Sequence, residues 1–173
     1  MLIPYNLESL QTDLQAFIID MRVFNKRYAS LFHLQFTTGL RIGECVDSSR
    51  FIFQKSPYFK IITEKGSNDR LINSLDQDLY FIDMYNMNMF PFPHCSESTS
   101  SYLFRRYFKY SQCFVGGKGI TTHLFRHCII KFWYELGFTE EYIAEQIGEK
   151  DVKNIKLYID SQLFYNPDSE RRS

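Results

Sequence analysis

Five side chains suited to anion binding, proton transfer or nucleophilic attack come from four separate segments of the chain, most of them beside a local break in regular structure. Arg41 follows a glycine in TTGLRIGE, Lys65 precedes a turn in TEKGSNDR, and Tyr158 lies in NIKLYID. His123 and Arg126 are three residues apart in THLFRH, which places them on one face of a helix. Guanidinium groups pair with phosphate oxygens, while histidine, lysine and tyrosine can accept a proton, donate a proton and attack. The set therefore suits phosphoryl transfer.

Two other interpretations of the histidine segment stay open. The H-x-x-R pattern is short enough to arise by chance, so His123 and Arg126 also fit a surface stripe. His123 and His127 have the i, i+4 spacing of a metal-binding pair, but the glutamate of H-E-x-x-H is absent and no third ligand is apparent. We therefore predict no metal and no cofactor.

Length and composition favour one domain. A chain of 173 residues with 45% apolar and 17% aromatic content can bury one sizeable core. Basic and acidic residues number 20 each, so any anionic partner must be held by a local cluster. The four cysteines form no CxxC pair, which predicts reduced, buried thiols. The absence of a signal-peptide pattern and of a long apolar span predicts a soluble, cytoplasmic protein without a membrane partner.

The hydrophobic pattern predicts helices, then strands, then helices. Helical spacing marks residues 6–24 and 26–48, with a break near Thr38 and Gly39. The runs RFIFQ, YFKIITE and DRLINSL predict a small antiparallel three-stranded sheet. Helices are expected again at 78–90, 98–111, 122–137, 139–148 and 152–164. The fold class is therefore α+β and mostly helical, a single domain over 1–173 with residues 1–5 and 166–173 flexible.

Taken together, these motifs resemble the catalytic domain of the tyrosine recombinases, the phage-integrase family, and the likeness extends over residues 30–160. The family's first motif, Thr-Gly-Leu-Arg followed by an acid, matches residues 38–41 with Glu44, so Arg41 takes the first-arginine role. Its Lys-Gly-x-x-x-Arg hairpin matches Lys65 and Arg70, with Lys65 placed 24 residues after Arg41. Glu44 fits either a helix-surface acid or a buttress for a nearby arginine.

The remaining motifs of the family follow in the second half. His-x-x-Arg-His matches His123, Arg126 and His127, and the nucleophile matches Tyr158, 32 residues after Arg126. One position departs from the family, which has histidine or tryptophan nine residues before the tyrosine where this chain has Glu149. The joint spacing is far more specific than any single motif.

The resemblance implies site-specific DNA cleavage and rejoining through a 3′-phosphotyrosyl intermediate, in DNA recombination or integration by a phage or another mobile element. The catalytic residues that it implies are Arg41, Lys65, His123, Arg126, Glu149 and Tyr158. A carboxylate facing the scissile phosphate costs about 1–4 kcal/mol of repulsion, so we expect reduced activity. Three alternatives for Glu149 stay open: protonation, rotation toward Arg126, or replacement of its role by Lys150.

The expected partner is double-stranded DNA, bound by a homotetramer that is a monomer in solution. Candidate backbone contacts are the basic residues Arg70, Arg105, Arg106, Lys109 and Lys150. The family's N-terminal core-binding domain is expected to be absent. The segment SQLFYNPD, with Leu163, Phe164 and Tyr165 exposed if unpacked, is a candidate for docking on a neighbouring protomer.

Two non-catalytic DNA-binding proteins are the alternatives. One is a degenerate relative that keeps the recombinase fold but has lost the activity. The other is a helix-turn-helix regulator, because EYIAEQIGEKDVKNIKLYI resembles that motif. The regulator leaves Arg41, Lys65 and the His-Arg pair without a role, and its second helix offers no arginine for guanine recognition.

Overall fold

The computed structural model describes residues 3–53, 58–63, 70–73, 95–108, 114–115, 118–119 and 121–165. The helices in these ranges are α1 Leu7–Phe24, α2 Lys26–Thr38, α3 Ile42–Val46, α4 Glu97–Tyr107, α5 Leu124–Glu135, α6 Glu140–Ile147 and α7 Val152–Asp160. The strands are β1 Ile3–Pro4, β2 Phe51–Phe53, β3 Tyr58–Ile61, β4 Arg70–Asn73, β5 Phe114–Val115, β6 Lys118–Gly119 and β7 Leu163–Tyr165. The predicted α+β class, mostly helical, is confirmed.

The strands form two antiparallel sheets. The first has the order β2-β3-β4, and it is the three-stranded sheet that the sequence predicts. The second has the order β1-β7-β5-β6 and joins segments from the two ends of the described chain. No sequence pattern indicated this second sheet, because its strands have only two or three residues, and β7 pairs with β1 and β5, which lie far from it along the chain.

The C-terminal segment corrects two expectations. The helix expected over 152–164 ends at Asp160, since Ser161 takes an extended conformation, and Leu163–Tyr165 form β7 between β1 and β5. Leu163 is only 4% exposed and belongs to the hydrophobic core, so it does not offer the exposed docking segment that we expected. At the other end of the described chain, Ile3 and Pro4 of β1 pair with β7 and Tyr5 is buried. The flexibility expected for residues 1–5 stays a prediction.

Helix α2 ends where the sequence predicts a break. Gly39 has φ of 71°, a left-handed conformation that favours glycine, and its N–H donates to the Gln35 carbonyl. A Cβ at Gly39 would lie 2.5 Å from Ile147 Cδ1 and 2.7 Å from Ile129 Cγ2, so glycine is also required for close packing. This tight turn brings the chain into α3 shortly after Leu40 and fixes the backbone of Arg41.

Two hydrophobic cores share helix α5. The larger core is built mainly from α1, α2 and α4, and includes the buried rings of Phe17, Phe32, Phe104 and Phe108 together with Phe125 of α5. The smaller core joins α5, α6 and α7 through Ile130, Ile143, Ala144, Ile147 and Ile155. Helix α5 therefore faces the larger core on one side and the smaller core on the other, because residues at helical spacing separate into two faces.

Some expectations fall only partly on the described residues. Cys45, Cys95 and Cys128 are buried and form no disulfide, as predicted, and burial raises the pKa of the Cys128 thiol to about 12. The fourth thiol, Cys113, the helix expected at 78–90 and the tail at 166–173 lie outside the described residues. Within the described ranges, no helix combines the length and the apolar character needed to cross a membrane.

Candidate active site

Arg41 is held rigidly at the junction of α2 and α3. It is the residue before the first turn of α3, where its backbone N–H donates to Glu44 Oε1 at 2.8 Å. Arg41 Nη1 lies 3.6 Å from Glu44 Oε2, and Glu44 has no solvent exposure. Glu44 is therefore the buttress, not the surface acid, of the two alternatives. The Arg41 side chain keeps 12% exposure and points its other nitrogen toward Glu149.

Arg126 is buried where the two cores meet. Its side chain is 1% exposed, and Nη1 donates to the Gly39 carbonyl at 3.0 Å while Nη2 reaches the Ile147 carbonyl at 3.4 Å. The same Nη2 donates to Glu149 Oε1 at 3.0 Å. Arg126 therefore connects the end of α2, the end of α6 and Glu149 through one planar group.

Glu149 accepts hydrogen bonds from both arginines. Its Oε1 lies 2.7 Å from Arg41 Nη2 and 3.0 Å from Arg126 Nη2, and its Oε2 accepts from Asn154 Nδ2 at 3.3 Å. Its backbone N–H donates to the Ala144 carbonyl, which fixes the turn after α6. Of the three alternatives for Glu149, the geometry matches rotation toward Arg126, extended to Arg41. Lys150 is exposed, and no interaction of its side chain with the two arginines is seen.

Tyr158 meets His123 at the edge of the same site. The hydroxyl oxygen of Tyr158 lies 2.5 Å from His123 Nε2, a distance at which a proton can pass between them. The Tyr158 ring centroid lies 5.9 Å from Arg126 Cζ and 4.6 Å from the His127 ring centroid. The hydroxyl of Thr121 accepts from the backbone N–H of His123 and orients the start of α5.

His127 is held in its neutral form. Burial lowers the pKa of His127 to about 4, and the nearby charges of Lys131 and Arg126 act in the same direction. A neutral imidazole packed edge-on against the Tyr158 ring keeps this ring in place without adding charge. His127 therefore supports the tyrosine and is not itself charged at neutral pH.

A cavity of about 440 Å³ opens at this site. Its walls are formed by Arg41, His123, His127, Glu149, Asn154, Leu157 and Tyr158. Arg126 is not part of this lining, since Glu149 Oε1 lies against its inward-facing nitrogen. The structure thus brings four of the six predicted catalytic residues to one cavity and places another, Arg126, directly beneath Glu149.

The other predicted site residues are only partly described. Lys65 and Lys109 lie outside the described residues, and Arg70 is the first residue of β4, paired with Ile61. Arg105 and Arg106 are exposed in the last turn of α4, and a contact with the DNA backbone requires such exposure. In the described ranges no group of three or more His, Cys, Asp or Glu side chains could hold a metal ion.

Two residues that line or support the site were missed by sequence reasoning. Asn154 lies four residues before Tyr158 on α7, and the i, i+4 spacing would have placed it on the same face. Lys131 Nζ donates to the Ile159 and Ser161 carbonyls at the end of α7. No sequence signal pointed to Lys131, because its partners are backbone atoms far along the chain.

The fold is similar to that of solved tyrosine recombinases. A structure of the XerH site-specific recombinase bound to a palindromic difH substrate, in a post-cleavage complex, superimposes with a TM-score of 0.61 at 12% identity, covering 85% of this chain and 47% of that one. A pre-cleavage XerH complex with difH gives 0.60 at 14% identity, covering 90% and 49%. The chain has a tyrosine-recombinase-like fold and spans about half the length of those proteins. Protein-family models and curated sequences give no match.

Proposed function

We propose that this protein cleaves and rejoins DNA strands through a covalent link between Tyr158 and a 3′-phosphate. The observation that carries the proposal is the contact between Tyr158 and His123 beside two convergent arginines, in a chain with a tyrosine-recombinase-like fold. The XerH structures with a similar fold are complexes with DNA substrates before and after cleavage. That likeness supports DNA as the partner of this chain.

The proposed reaction needs three kinds of group. The Tyr158 oxygen attacks phosphorus, the bond from phosphorus to the 5′ oxygen breaks, and the phenolic proton passes to His123 Nε2. Arg41 and Arg126 stabilise the charge that develops on the non-bridging oxygens. Lys65 is proposed as the acid that protonates the leaving 5′ oxygen. A second DNA hydroxyl then attacks the phosphotyrosine, which exchanges strands without an external energy source.

The test is a covalent adduct on a nicked duplex, because the nick lets the cleaved fragment diffuse away and traps the intermediate. Since the target sequence is unknown, the duplexes carry a randomised central region. We expect a DNA-protein adduct that survives denaturation, and its loss in Tyr158→Phe. Tyr142→Phe is the matched control, because this tyrosine is 43% exposed on α6 and does not line the cavity. Absence of the adduct, with or without retention of DNA in a native gel, would overturn the proposal.

A degenerate DNA-binding relative is the second candidate function, and Glu149 is the observation that favours it. A carboxylate that bridges Arg41 and Arg126 fills the position where phosphate oxygens would bind. This candidate predicts retention of DNA in a native gel without any covalent adduct. The two functions are therefore separated by the same experiment.

A further inference from the structure

Asn154 presents hydrogen-bond donors to the same cavity as the proposed nucleophile. Asn154 and Tyr158 are one turn apart on α7, and both line the cavity. Because both residues belong to one helix, the amide and the phenol keep a fixed relation to each other. Among the lining residues, Asn154 alone carries an amide, whose N–H groups donate without any change in protonation.

The Glu149 carboxylate shows where an anion fits in this cavity. One of its oxygens lies between Arg41 Nη2 and Arg126 Nη2, and the other accepts from Asn154 Nδ2. A phosphate also presents two neighbouring oxygens to planar donors, so it can meet the same three groups.

Glu149 and a DNA phosphate exclude each other from this position. Both are negatively charged, and both require Nη2 of Arg41 and Nη2 of Arg126. Glu149 lies on the short connection between α6 and α7, and a phosphate can take this position only after the Glu149 side chain has rotated away from the two arginines. When the carboxylate leaves, the Asn154 amide loses its acceptor and becomes available to the phosphate.

We propose that Asn154 is a further catalytic residue, whose amide donates a hydrogen bond to a non-bridging oxygen of the DNA phosphate after that phosphate has displaced the Glu149 carboxylate. This inference rests on the proposed strand-cleavage function and assigns the neutral donor that Glu149 cannot supply. Arg41 and Arg126 then contact one non-bridging oxygen and Asn154 the other. The inference identifies the ligand of this cavity as a phosphodiester.

A mutant cycle on Asn154 and Glu149 separates direct donation from a tethering role. The variants are Asn154→Ala, Asn154→Asp, Glu149→Ala and the Asn154→Ala/Glu149→Ala double variant. The first readout is the rate of adduct formation on the nicked duplex in a single turnover. We expect Asn154→Ala to slow the reaction roughly tenfold or more, in both the parent and the Glu149→Ala background, as for a lost hydrogen bond to a charged group. Asn154→Asp should slow it further.

A tethering role gives a different pattern. If Asn154 only holds Glu149, the Asn154→Ala substitution has no effect once Glu149 is alanine, and the inference is overturned. Gln162→Ala is the matched control, since this exposed amide follows α7 but does not line the cavity. If Glu149→Ala fails to fold because Arg126 loses its partner, Glu149→Leu replaces it, since leucine fills much of the same space and offers Asn154 no acceptor.

A second readout does not depend on cleavage. Calorimetric titration with inorganic phosphate should show binding at least roughly tenfold tighter in Glu149→Ala than in the parent chain, since the competing carboxylate is gone, and Asn154→Ala should remove most of that gain. Equal phosphate affinity in all variants would contradict the inference even if the parent forms the adduct. If the parent forms no adduct but the phosphate pattern appears, the cleavage proposal fails while the anion site of Asn154 stands.

Discussion

The two hydrophobic cores of the protein differ in size and in what they contribute to the site. The larger core packs four phenylalanine rings of α1, α2 and α4 with Phe125 of α5, and it holds the helices that position Arg41. The smaller core has five fully or nearly buried aliphatic residues and carries α7, the helix of Tyr158. The guanidinium side of the site, which holds Arg41, is therefore set in a large, well-packed region. The phenol side, which holds Tyr158, depends on a small one.

This difference indicates how such a site can be both rigid and adjustable. Anion-binding groups must be placed in advance, because reorganising charged donors during the reaction raises the barrier. Under the proposed function, Tyr158 must instead approach the phosphorus and then stay bonded to it while the DNA strands move. Arg126 and Gly39 join the two cores, so substitutions at this contact should lower the free energy of unfolding most.

Gly39→Ala should disrupt the close contact between the two hydrophobic cores. The left-handed φ costs an alanine about 1–2 kcal/mol, and the new Cβ would overlap Ile147 and Ile129 of the smaller core for about 1–3 kcal/mol more. We expect the free energy of unfolding to fall by about 2–5 kcal/mol, measured by urea denaturation.

The matched control is Gly137→Ala. Gly137 also has a positive φ, of 98°, but a Cβ added there would meet no atom within 4 Å. This substitution should cost only the backbone contribution, about 1–2 kcal/mol. Equal losses for the two variants would show that close contact between the cores at Gly39 contributes nothing.

The sequence predicted local structure better than pairing between distant segments. Helical spacing, the break at Gly39 and the three-stranded sheet are local patterns, and the structure confirms them. The second sheet and the end of α7 at Asp160 depend on strands that meet only in three dimensions. Local periodicity therefore could not separate Leu163–Tyr165 from the preceding helix.

The candidate site shows the same division. The positions of Arg41, Arg126 and Tyr158 followed from the resemblance, and their convergence in space is a property of the fold. The rotation of Glu149 onto both arginines was one of three open alternatives, because a sequence does not fix side-chain orientation. Asn154 gained a role only through the position of its amide next to Glu149.

The stability of the region around Tyr158 should depend on pH, because His127 packs against the Tyr158 ring. Burial lowers the pKa of His127 from 6.5 to about 4, so the unfolded chain binds a proton there that the folded chain does not. Stability from this group is present above pH 6.5 and is lost as the pH falls toward 4. Between about pH 7 and pH 5 we expect a loss of about 2 kcal/mol from His127 alone.

The measurement compares urea denaturation of the parent chain and of His127→Gln at about pH 7 and pH 5. The substitution removes this titrating group, so the variant should lose less stability on acidification than the parent does. The neighbouring charges of Lys131 and Arg126 and the Ser161 hydroxyl near Nδ1 stay in place in both proteins. Parallel pH profiles would show that the imidazole is not buried in its neutral form.

Lys131→Met should produce the smallest effect, confined to the helix of Tyr158. Lys131 Nζ donates to the Ile159 and Ser161 carbonyls, which the end of α7 leaves without helical partners. Methionine keeps the apolar stem but removes these bonds, at a cost of about 1–2 kcal/mol. Amide hydrogen exchange should accelerate in α7 and stay unchanged in α1 and α2. Lys153→Met, at an exposed position on α7, is the control and should leave the exchange rates in α7 and in α1 and α2 unchanged. Faster exchange throughout the chain would mean that the two cores open as one unit, and the separation of a rigid guanidinium side from an adjustable phenol side would be wrong.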